Sequence, residues 1–369
     1  MEDQQWDDTP IAEAARRAAQ VLTPNSMRLP RPESPRLITI ANQKGGVGKT
    51  TSSVNLAAGL ALHGLKVLVI DLDPQGNAST ALGVEHRAGT LSSYEILIGE
   101  CSADEALQKS PDFDNLYCIP ATIDLAGAEI ELVSLVRREY RLYDNIRGDF
   151  LTEHGFDYVI IDCPPSLGLL TINAMTLVDE VLIPIQCEYY ALEGVGQLLN
   201  NITMIREHLN TSLHISGILL TMYDARTKLA EQVASEVREH FGDVVLNTLI
   251  PRSIKVSEAP GYGQSVIQYD PGSRGAMSYL DASRELAERG DFQPAPGTGA
   301  IGVSPATAAE IADAAKQAER GGSVAESAEV SDTADDSAPA PGPEGTSDSK
   351  SSVKAGANSG APASPSTEN

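Results

Sequence analysis

The sequence lacks every simple sign of membrane insertion, export or metal-stabilised folding. No apolar run approaches the roughly 18 residues of a membrane-spanning helix, and the first residues, MEDQQWDD, have none of the basic charge of a signal peptide. We therefore expect a cytoplasmic protein. The four cysteines show no CxxC spacing, so neither a structural zinc site nor a disulfide framework is expected.

Basic residues are also scarce, with 27 Lys and Arg against 51 Asp and Glu and a net charge of −24. Attraction of the whole molecule to nucleic acid or to anionic lipid is therefore not expected, and any such binding requires a local basic patch. Aromatic residues make up only 5% of the chain.

The acidic residues divide the chain into three predicted parts. Residues 291–369 have 12 acidic and 4 basic residues and no leucine. We expect a disordered tail there, because so little apolar surface cannot offset the entropy lost on ordering. Residues 1–35 form an acidic arm, in which residues 11–22 are compatible with a short helix that either docks loosely or contacts a partner. Residues 36–290 are the predicted folded domain.

Within that domain, short runs rich in Val, Ile and Leu alternate with longer amphipathic stretches. This alternation predicts an α/β fold, namely a single-domain, doubly wound, mostly parallel sheet with helices on both faces. Ligands of such sheets bind at the carboxyl ends of the strands. The predicted strands are 37–41, 66–71, 115–120, 158–162, 180–185 and 215–221, and the predicted helices lie near 50–63, 127–153, 168–177, 192–209, 228–241 and 276–289.

The first predicted strand runs into NQKGGVGKTT, residues 42–51, and a helix is predicted from Thr50. Glycines let such a loop turn its amide groups toward an anion, and the helix start adds its positive dipole end. The pattern predicts that Lys49 reaches the β- and γ-phosphates of ATP and that Thr50 binds Mg²⁺. The predicted nucleotide-binding residues here are Lys44, Gly45, Gly46, Val47, Gly48, Lys49, Thr50 and Thr51. The alternative is an ordinary glycine-rich turn.

Two further acidic motifs follow predicted strands. VLVIDLDPQGNAS, residues 67–79, carries Asp71 and Asp73 at a strand end, and FDYVIIDCPPSLG, residues 156–168, carries Asp162 at another. We predict that Asp71 supports the Mg²⁺ shell and that Asp162 binds the ion directly or through water. Asp73 is predicted to orient the attacking water, as in other phosphoryl transfers. For Asp71 and Asp73, an Asp-Pro-Gln-Gly turn without a catalytic role is the alternative.

These blocks, together with QCEYYALEG, LTMYDART and IPRSIKVSEAPGYGQ, closely resemble those of ParA/Soj-type chromosome-partition ATPases over roughly residues 36–290. The general phosphate-loop pattern has glycine where this chain has Gln43, and a second lysine, Lys44, instead opens the loop. The resemblance implies that Lys44 crosses a dimer interface to the partner's nucleotide, so that it is catalytic together with Lys49 and Asp73. It also implies an ATP-dependent homodimer and a ParB-type centromere-binding partner.

In that family, basic residues late in the chain bind nucleoid DNA without sequence preference. Arg226 and Lys255 match those positions, and Lys228, Arg252 and Arg274 are candidate neighbours. For Pro251 and Arg252, the resemblance instead implies a position near the adenine of the nucleotide. The alternative for each basic residue is ordinary solvated surface. A polar scaffold protein is a further candidate partner of either terminal segment, although no residue argues for it.

Three other functions compete with this interpretation. A MinD-like membrane-associated regulator would need a basic amphipathic helix at the C-terminus, where this chain is acidic and has no leucine. A nitrogenase-type reductase would need cysteines suitably placed for a shared cluster. A non-catalytic nucleotide-dependent scaffold would not need Asp73. The stretch QCEYYALEG fits either a partner or dimer surface or the core.

Overall fold

An eight-stranded sheet organises the part of the chain that the computed structural model describes, which is residues 28–188, 191–192 and 194–290. The predictions for the arm before residue 28 and for the acidic tail fall outside these residues. The strands are β1 Arg36–Ile40, β2 Val67–Asp71, β3 Gln108–Lys109, β4 Leu116–Ile119, β5 Tyr158–Asp162, β6 Glu180–Gln186, β7 His214–Tyr223 and β8 Val245–Pro251.

The strand order is β3-β4-β2-β5-β1-β6-β7-β8. Only the pairing of β3 with β4 is antiparallel among the described strands. Strands β1, β2 and β5 are buried along their whole length, as expected where helices cover both faces of a parallel sheet. The predicted doubly wound α/β fold is confirmed, and the carboxyl ends of its central strands meet at one edge.

Helices connect the strands and cover the sheet. Short 3₁₀ turns occupy Leu132–Ser134, Gly242–Val244 and Ala259–Tyr262. The α-helices of the described residues are α1 Lys49–Leu62, α2 Asn77–Ala81, α3 Ser93–Ile98, α4 Ala103–Ala106, α5 Leu125–Glu131, α6 Arg141–Ile146, α7 Asp149–His154, α8 Leu169–Leu177, α9 Val195–His208, α10 Lys228–Phe241, α11 Ile254–Glu258, α12 Val266–Tyr269 and α13 Arg274–Glu288.

The core consists of two apolar clusters, one on each face of the sheet. Helices α1 and α13 contribute to one cluster, and α8, α9 and α10 contribute to the other. Helices α1 and α13 approach so closely at Gly59 that an added Cβ would lie 2.3 Å from Ser283 Oγ. Packing against the sheet on one side and against α13 on the other therefore fixes α1, and with it the loop that precedes α1. No described helix is long and apolar enough to cross a bilayer.

The six predicted strands are all present, but the predicted helix near 127–153 is wrong as a continuous element. Arg137 adopts a left-handed conformation with φ 55°, and Gly148 has φ 99°, so the chain breaks into α5, α6 and α7. Strand β8 was not predicted, because its polar Asn247 and Thr248 interrupt the apolar pattern. Their backbone N–H groups donate to the Glu285 carboxylate at 2.7 and 2.9 Å.

Candidate nucleotide-binding site

The loop between β1 and α1 has the conformation that an anion site requires. Gly46 and Gly48 have φ values of 75° and 90°, a region that favours glycine. Helix α1 begins at Lys49, one residue before the predicted start. Its first turn has no acidic residue, and no side chain caps it. The amide groups at the start of α1 are therefore available to phosphate oxygens.

Three side-chain hydrogen bonds hold this loop against the sheet. Asn42 Oδ1 accepts from the backbone N–H of Lys44 at 3.0 Å, and Asn42 Nδ2 donates to the carbonyl of Pro184 at 2.8 Å. From the end of β7, Thr221 Oγ1 donates to the carbonyl of Val47 at 2.8 Å. Neither Asn42 nor Thr221 was a predicted site residue, because the bonds of Asn42 to Pro184 and of Thr221 to Val47 each join residues more than a hundred positions apart.

Lys49 is buried within the loop that it follows. Its side chain is 7% exposed, and Nζ donates to the carbonyl of Lys44 at 3.3 Å. Burial lowers the pKa of Lys49, while the carboxylates of Asp162 and Asp73 oppose that shift. These negative charges do not fully offset the cost of burying the Lys49 ammonium group. A polyanion that binds beside it would therefore be favoured.

Asp162 is fully buried at the end of β5. Ser53 Oγ donates to its Oδ1 at 2.8 Å, whereas its buried Oδ2 has no hydrogen-bond partner in the described residues. Burial raises the pKa of Asp162 to about 8, the charge of Asp71 adds to the shift, and hydrogen bonds from Thr50 and Ser53 oppose it. A buried, unpartnered carboxylate oxygen beside Thr50 fits a cation ligand.

Asp71 lies beside Asp162, and the two residues are register partners on β2 and β5. Asp71 Oδ2 accepts from Ser79 N and Ser79 Oγ at 2.9 and 2.7 Å, and Oδ1 accepts from Asp73 N at 3.1 Å. Burial raises the pKa of Asp71 to about 6, although the bonds from Ser79 oppose that shift. Asp71 thus fixes the turn that carries Asp73, so a contribution to the metal shell would be indirect.

Asp73 follows in an Asp-Pro-Gln-Gly turn, as the alternative interpretation predicts. Its Oδ1 accepts from Gln75 N at 3.0 Å, its carbonyl accepts from Gly76 N at 2.8 Å, and its side chain is only partly buried. Its charge nevertheless acts on both Lys49 and Asp162. The turn interpretation of Asp73 is therefore compatible with a role in the site, because the turn places the Asp73 carboxylate at the same edge of the sheet as Lys49 and Asp162.

These residues fit Mg²⁺ and a nucleoside triphosphate. The described residues contain no group of three or more His, Cys, Asp and Glu side chains arranged to hold a metal ion. Mg²⁺ commonly takes one or two carboxylates and completes its shell with phosphate oxygens and water, which matches Asp162 and Thr50, while the adjacent loop amides are available to the phosphate oxygens. Cys163, by contrast, is fully buried against Thr39 Oγ1 at 3.1 Å, and burial raises its pKa to about 12.

The late basic residues lie beyond the ends of β7 and β8. Tyr223 and Pro251 are register partners, and Arg252 N donates to the carbonyl of Tyr223 at 3.0 Å. The loop that carries Arg226 and the segment that leads to Lys255 in α11 therefore leave the same edge of the sheet. Three ion pairs neutralise basic side chains there, namely Arg226–Asp224 at 2.7 Å, Arg252–Glu188 at 3.0 Å and Lys255–Glu258 at 3.0 Å. Exposed Lys228 and Arg274 begin α10 and α13.

The stretch QCEYYALEG is only partly described. Cys187, Ala191 and Leu192 are buried in the core cluster that also contains α9. This favours core packing for these three residues, whereas the two tyrosines fall outside the described part of the chain.

The loop, the sheet and the paired acidic strand ends define a P-loop nucleotide-binding protein. Residues 35–215 match a family model described as an AAA domain. The sporulation initiation inhibitor protein Soj of Bacillus subtilis is 54% identical over 255 residues, which are 69% of this chain and 99% of that protein. The chromosome partitioning protein ParA of Caulobacter vibrioides is 49% identical over 69% of this chain and 94% of its own length. The chain belongs to the ParA/Soj family of chromosome-partitioning P-loop ATPases.

Solved structures support the same fold. Cobyrinic acid a,c-diamide synthase from Mycobacterium smegmatis, with bound ADP and magnesium, has a TM-score of 0.60 and 36% identity over 69% of this chain and 95% of that chain. The cell division ATPase MinD from Pyrococcus furiosus has a TM-score of 0.56 and 28% identity over 69% of this chain and 98% of that chain.

Proposed function

We propose that this protein is an ATP-hydrolysing switch for partitioning of a chromosome or plasmid. Its cofactors are ATP and Mg²⁺, its ATP-bound form is a homodimer that binds nucleoid DNA without sequence preference, and a ParB-type partner stimulates hydrolysis and release. The observation that carries the proposal is that buried Lys49 and half-buried Thr50, at the start of α1, lie beside buried Asp162 at the end of β5, with Asp73 at the same edge. We place the protein in the cytoplasm, on the nucleoid.

Each residue of the site has a distinct task in this proposal. The loop amides and Lys49 bind the phosphates and offset their charge, Thr50 and Asp162 hold the cation, and Asp71 fixes the turn of Asp73. Asp73 orients the water that attacks the γ-phosphate. The bound Mg²⁺ neutralises charge that develops on the phosphate oxygens. Pro251 ends β8 and Arg252 follows it. We assign these two residues to contact with the adenine.

The test of the proposed function is ATP turnover measured with and without DNA and the ParB-type partner. Stimulation by both together is expected of a partition ATPase. A nucleotide-dependent scaffold would bind ATP and show no turnover under any of these conditions, which would overturn the proposal.

Lys44 carries the dimerisation part of the proposal. We expect Lys44→Ala to bind ATP and to remain monomeric, because the partner's phosphates would lose the cation that Lys44 contributes from across the interface. Size-exclusion chromatography with light scattering measures this directly. Lys109→Ala, on edge strand β3, is the matched control and should dimerise with ATP as the wild type does. An ATP-induced dimer of Lys44→Ala would reject the assignment.

DNA binding is assigned to the loops after β7 and β8. We expect the double variant Arg226→Glu, Lys255→Glu to lose at least about tenfold in DNA affinity and to show a shallower salt dependence, because fewer counterions are released. Fluorescence anisotropy across a salt series, in ATP and in ADP, provides the measurement. The control is Arg87→Glu, Lys109→Glu, which makes the same change in charge near β3, at the opposite side of the sheet. Equal affinity of both double variants would contradict the assignment.

A further inference from the structure

Arg226, one of the residues proposed to contact DNA phosphate, is already paired with a carboxylate in the protein. The Arg226 side chain is 88% exposed, yet its Nε donates to Asp224 Oδ1 at 2.9 Å and a terminal nitrogen donates to Oδ2 at 2.7 Å. This is the two-point geometry with which arginine recognises a carboxylate or a phosphate. A DNA phosphate that uses the same face of Arg226 must therefore displace Asp224.

We propose that Asp224 masks Arg226, so that DNA binding is a competition between this carboxylate and the phosphate backbone. The inference deepens the proposed function and rests on it. Asp224 would be a positioning residue that lowers the affinity of one protomer for DNA. Binding would then be strong only where a second protomer adds its own basic residues. The pairing of Lys255 with Glu258 and of Arg252 with Glu188 follows the same pattern nearby.

The carboxylate is fixed more firmly than the arginine that it binds. Asp224 Oδ1 also accepts from the backbone N–H of Arg226 at 3.1 Å. The Asp224 carbonyl accepts from Thr227 N and Thr227 Oγ1, both at 3.0 Å, and Thr227 in turn caps the start of α10. The Asp224 side chain is 22% exposed, against 88% for Arg226. Release of the mask is thus a movement of the arginine side chain, with the turn intact.

Asp224 also lies close in sequence to a residue that contacts the phosphate loop. Thr221, three residues before Asp224, donates its hydroxyl hydrogen to the Val47 carbonyl within the loop. Between them, Met222 has φ 52°, a left-handed conformation that is costly for a side chain of its size. The end of β7 therefore connects the nucleotide site to the turn that holds Asp224, which gives nucleotide binding a short structural route to the mask.

Asp224→Asn is the variant that tests the mask. Asparagine keeps an Oδ1 that accepts from Arg226 N, so the turn is retained while the charge is removed. The first probe is a heparin column eluted with salt in the absence of nucleotide, which reports polyanion binding whether or not the protein binds DNA. We expect Asp224→Asn to elute later than wild type. In ATP, its DNA affinity should rise by about two- to fivefold per protomer, the range set by exposed ion pairs.

Two comparisons separate masking from other causes. Asp281→Asn removes the same charge from an exposed pair with Arg284 on α13 and should change neither measurement. In an Arg226→Ala background, Asp224→Asn should have no effect, because there is nothing left to unmask. The salt dependence of DNA binding should also steepen in Asp224→Asn, since no vacated carboxylate takes up a cation when Arg226 moves to phosphate.

The outcomes are distinct. Equal heparin elution of Asp224→Asn and Asp281→Asn overturns the mask, and so does a gain that persists without Arg226. Later elution that depends on Arg226 supports the mask even if the wild type with ATP fails to bind DNA, a result that would overturn the proposed function alone. Melting temperatures close to wild type would show that the asparagine variant retains the fold.

Discussion

Asp73→Ala should bind ATP and stop hydrolysing it. We expect turnover to fall by about 10²- to 10⁴-fold, the range found when a group that handles the reacting proton or water is removed. The Asp73 carboxylate acts electrostatically on Lys49 and Asp162, so it lies near the two residues that we propose bind the phosphates and the cation. The loop amides and Lys49 do not depend on it. ATP affinity should therefore be kept or should rise, because a negative charge has been removed beside an anionic ligand.

Two variants distinguish the acid from the turn that it forms. Asp73→Asn can still accept the hydrogen bond from Gln75 N, so it preserves the turn and should lose turnover without loss of stability. Asp124→Ala removes an exposed acid that follows β4, at the carboxyl edge of the same sheet, and should hydrolyse ATP normally. Phosphate release and binding of a fluorescent ATP analogue are the two measurements. Normal hydrolysis by Asp73→Ala would reject the water-positioning role.

The phosphate loop could be predicted because its chemistry is local. Gly46, Gly48 and Lys49 are consecutive or nearly so, and their function depends on backbone conformations that a short motif specifies. The same holds for Asp162 at the end of an apolar strand. The order of the strands then brings Asp71 and Asp162 together as register partners, which follows from the sheet topology and not from either motif alone.

The supporting residues could not be predicted in this way. Ser53 reaches Asp162 across 109 residues, and Thr221 reaches Val47 across 174 residues. Serine and threonine are common, so no spacing distinguishes these two from others that only face solvent. Ser79 is different, because it lies eight residues after Asp71 within one block. A search for a hydroxyl partner of a buried strand-end aspartate would have found it.

The ion pairs of the basic loops are a third case. Asp224 and Arg226 are two residues apart, and Lys255 and Glu258 are three apart, so both pairs were visible in the sequence. The sequence-based prediction for Arg226 and Lys255 named basic neighbours and did not include these carboxylates. The negative charge of the chain is thus not spread evenly around these basic residues. Individual carboxylates pair with Arg226 and Lys255, and a phosphate ligand has to compete with those carboxylates.

The buried acids Asp71 and Asp162 should make the stability of the ligand-free protein fall as the pH rises from about 4 to about 8. Both lie at the ends of adjacent central strands with no exposure to solvent. Burial is the main cause that raises the pKa of Asp162 to about 8 and that of Asp71 to about 6, from an ordinary value of 3.8. The folded protein therefore holds protons on these groups that the unfolded chain releases near pH 4.

The sign of the effect follows from proton linkage. When the folded state binds more protons than the unfolded state, the free energy of unfolding falls as pH rises, by about 1.4 kcal/mol per pH unit for each proton. Both acids cause the free energy of unfolding to fall between the ordinary pKa and about pH 6, and Asp162 alone causes it to fall from there to about pH 8. Above pH 8 both acids are ionised in the folded state, and the stability that their protonated forms provided at lower pH is lost.

Asp162→Asn isolates this contribution. Urea unfolding without nucleotide or Mg²⁺ should show a stability that declines steadily for wild type between about pH 6 and pH 8, whereas the variant should be nearly flat there. Asp281→Asn, which changes an exposed acid, should follow the wild type. Mg²⁺ with ADP should also flatten the wild-type profile, since a bound cation favours ionised Asp162. Equal slopes for wild type and Asp162→Asn would mean that Asp162 is ionised in the ligand-free fold, and the cation would then enter a site already charged to receive it.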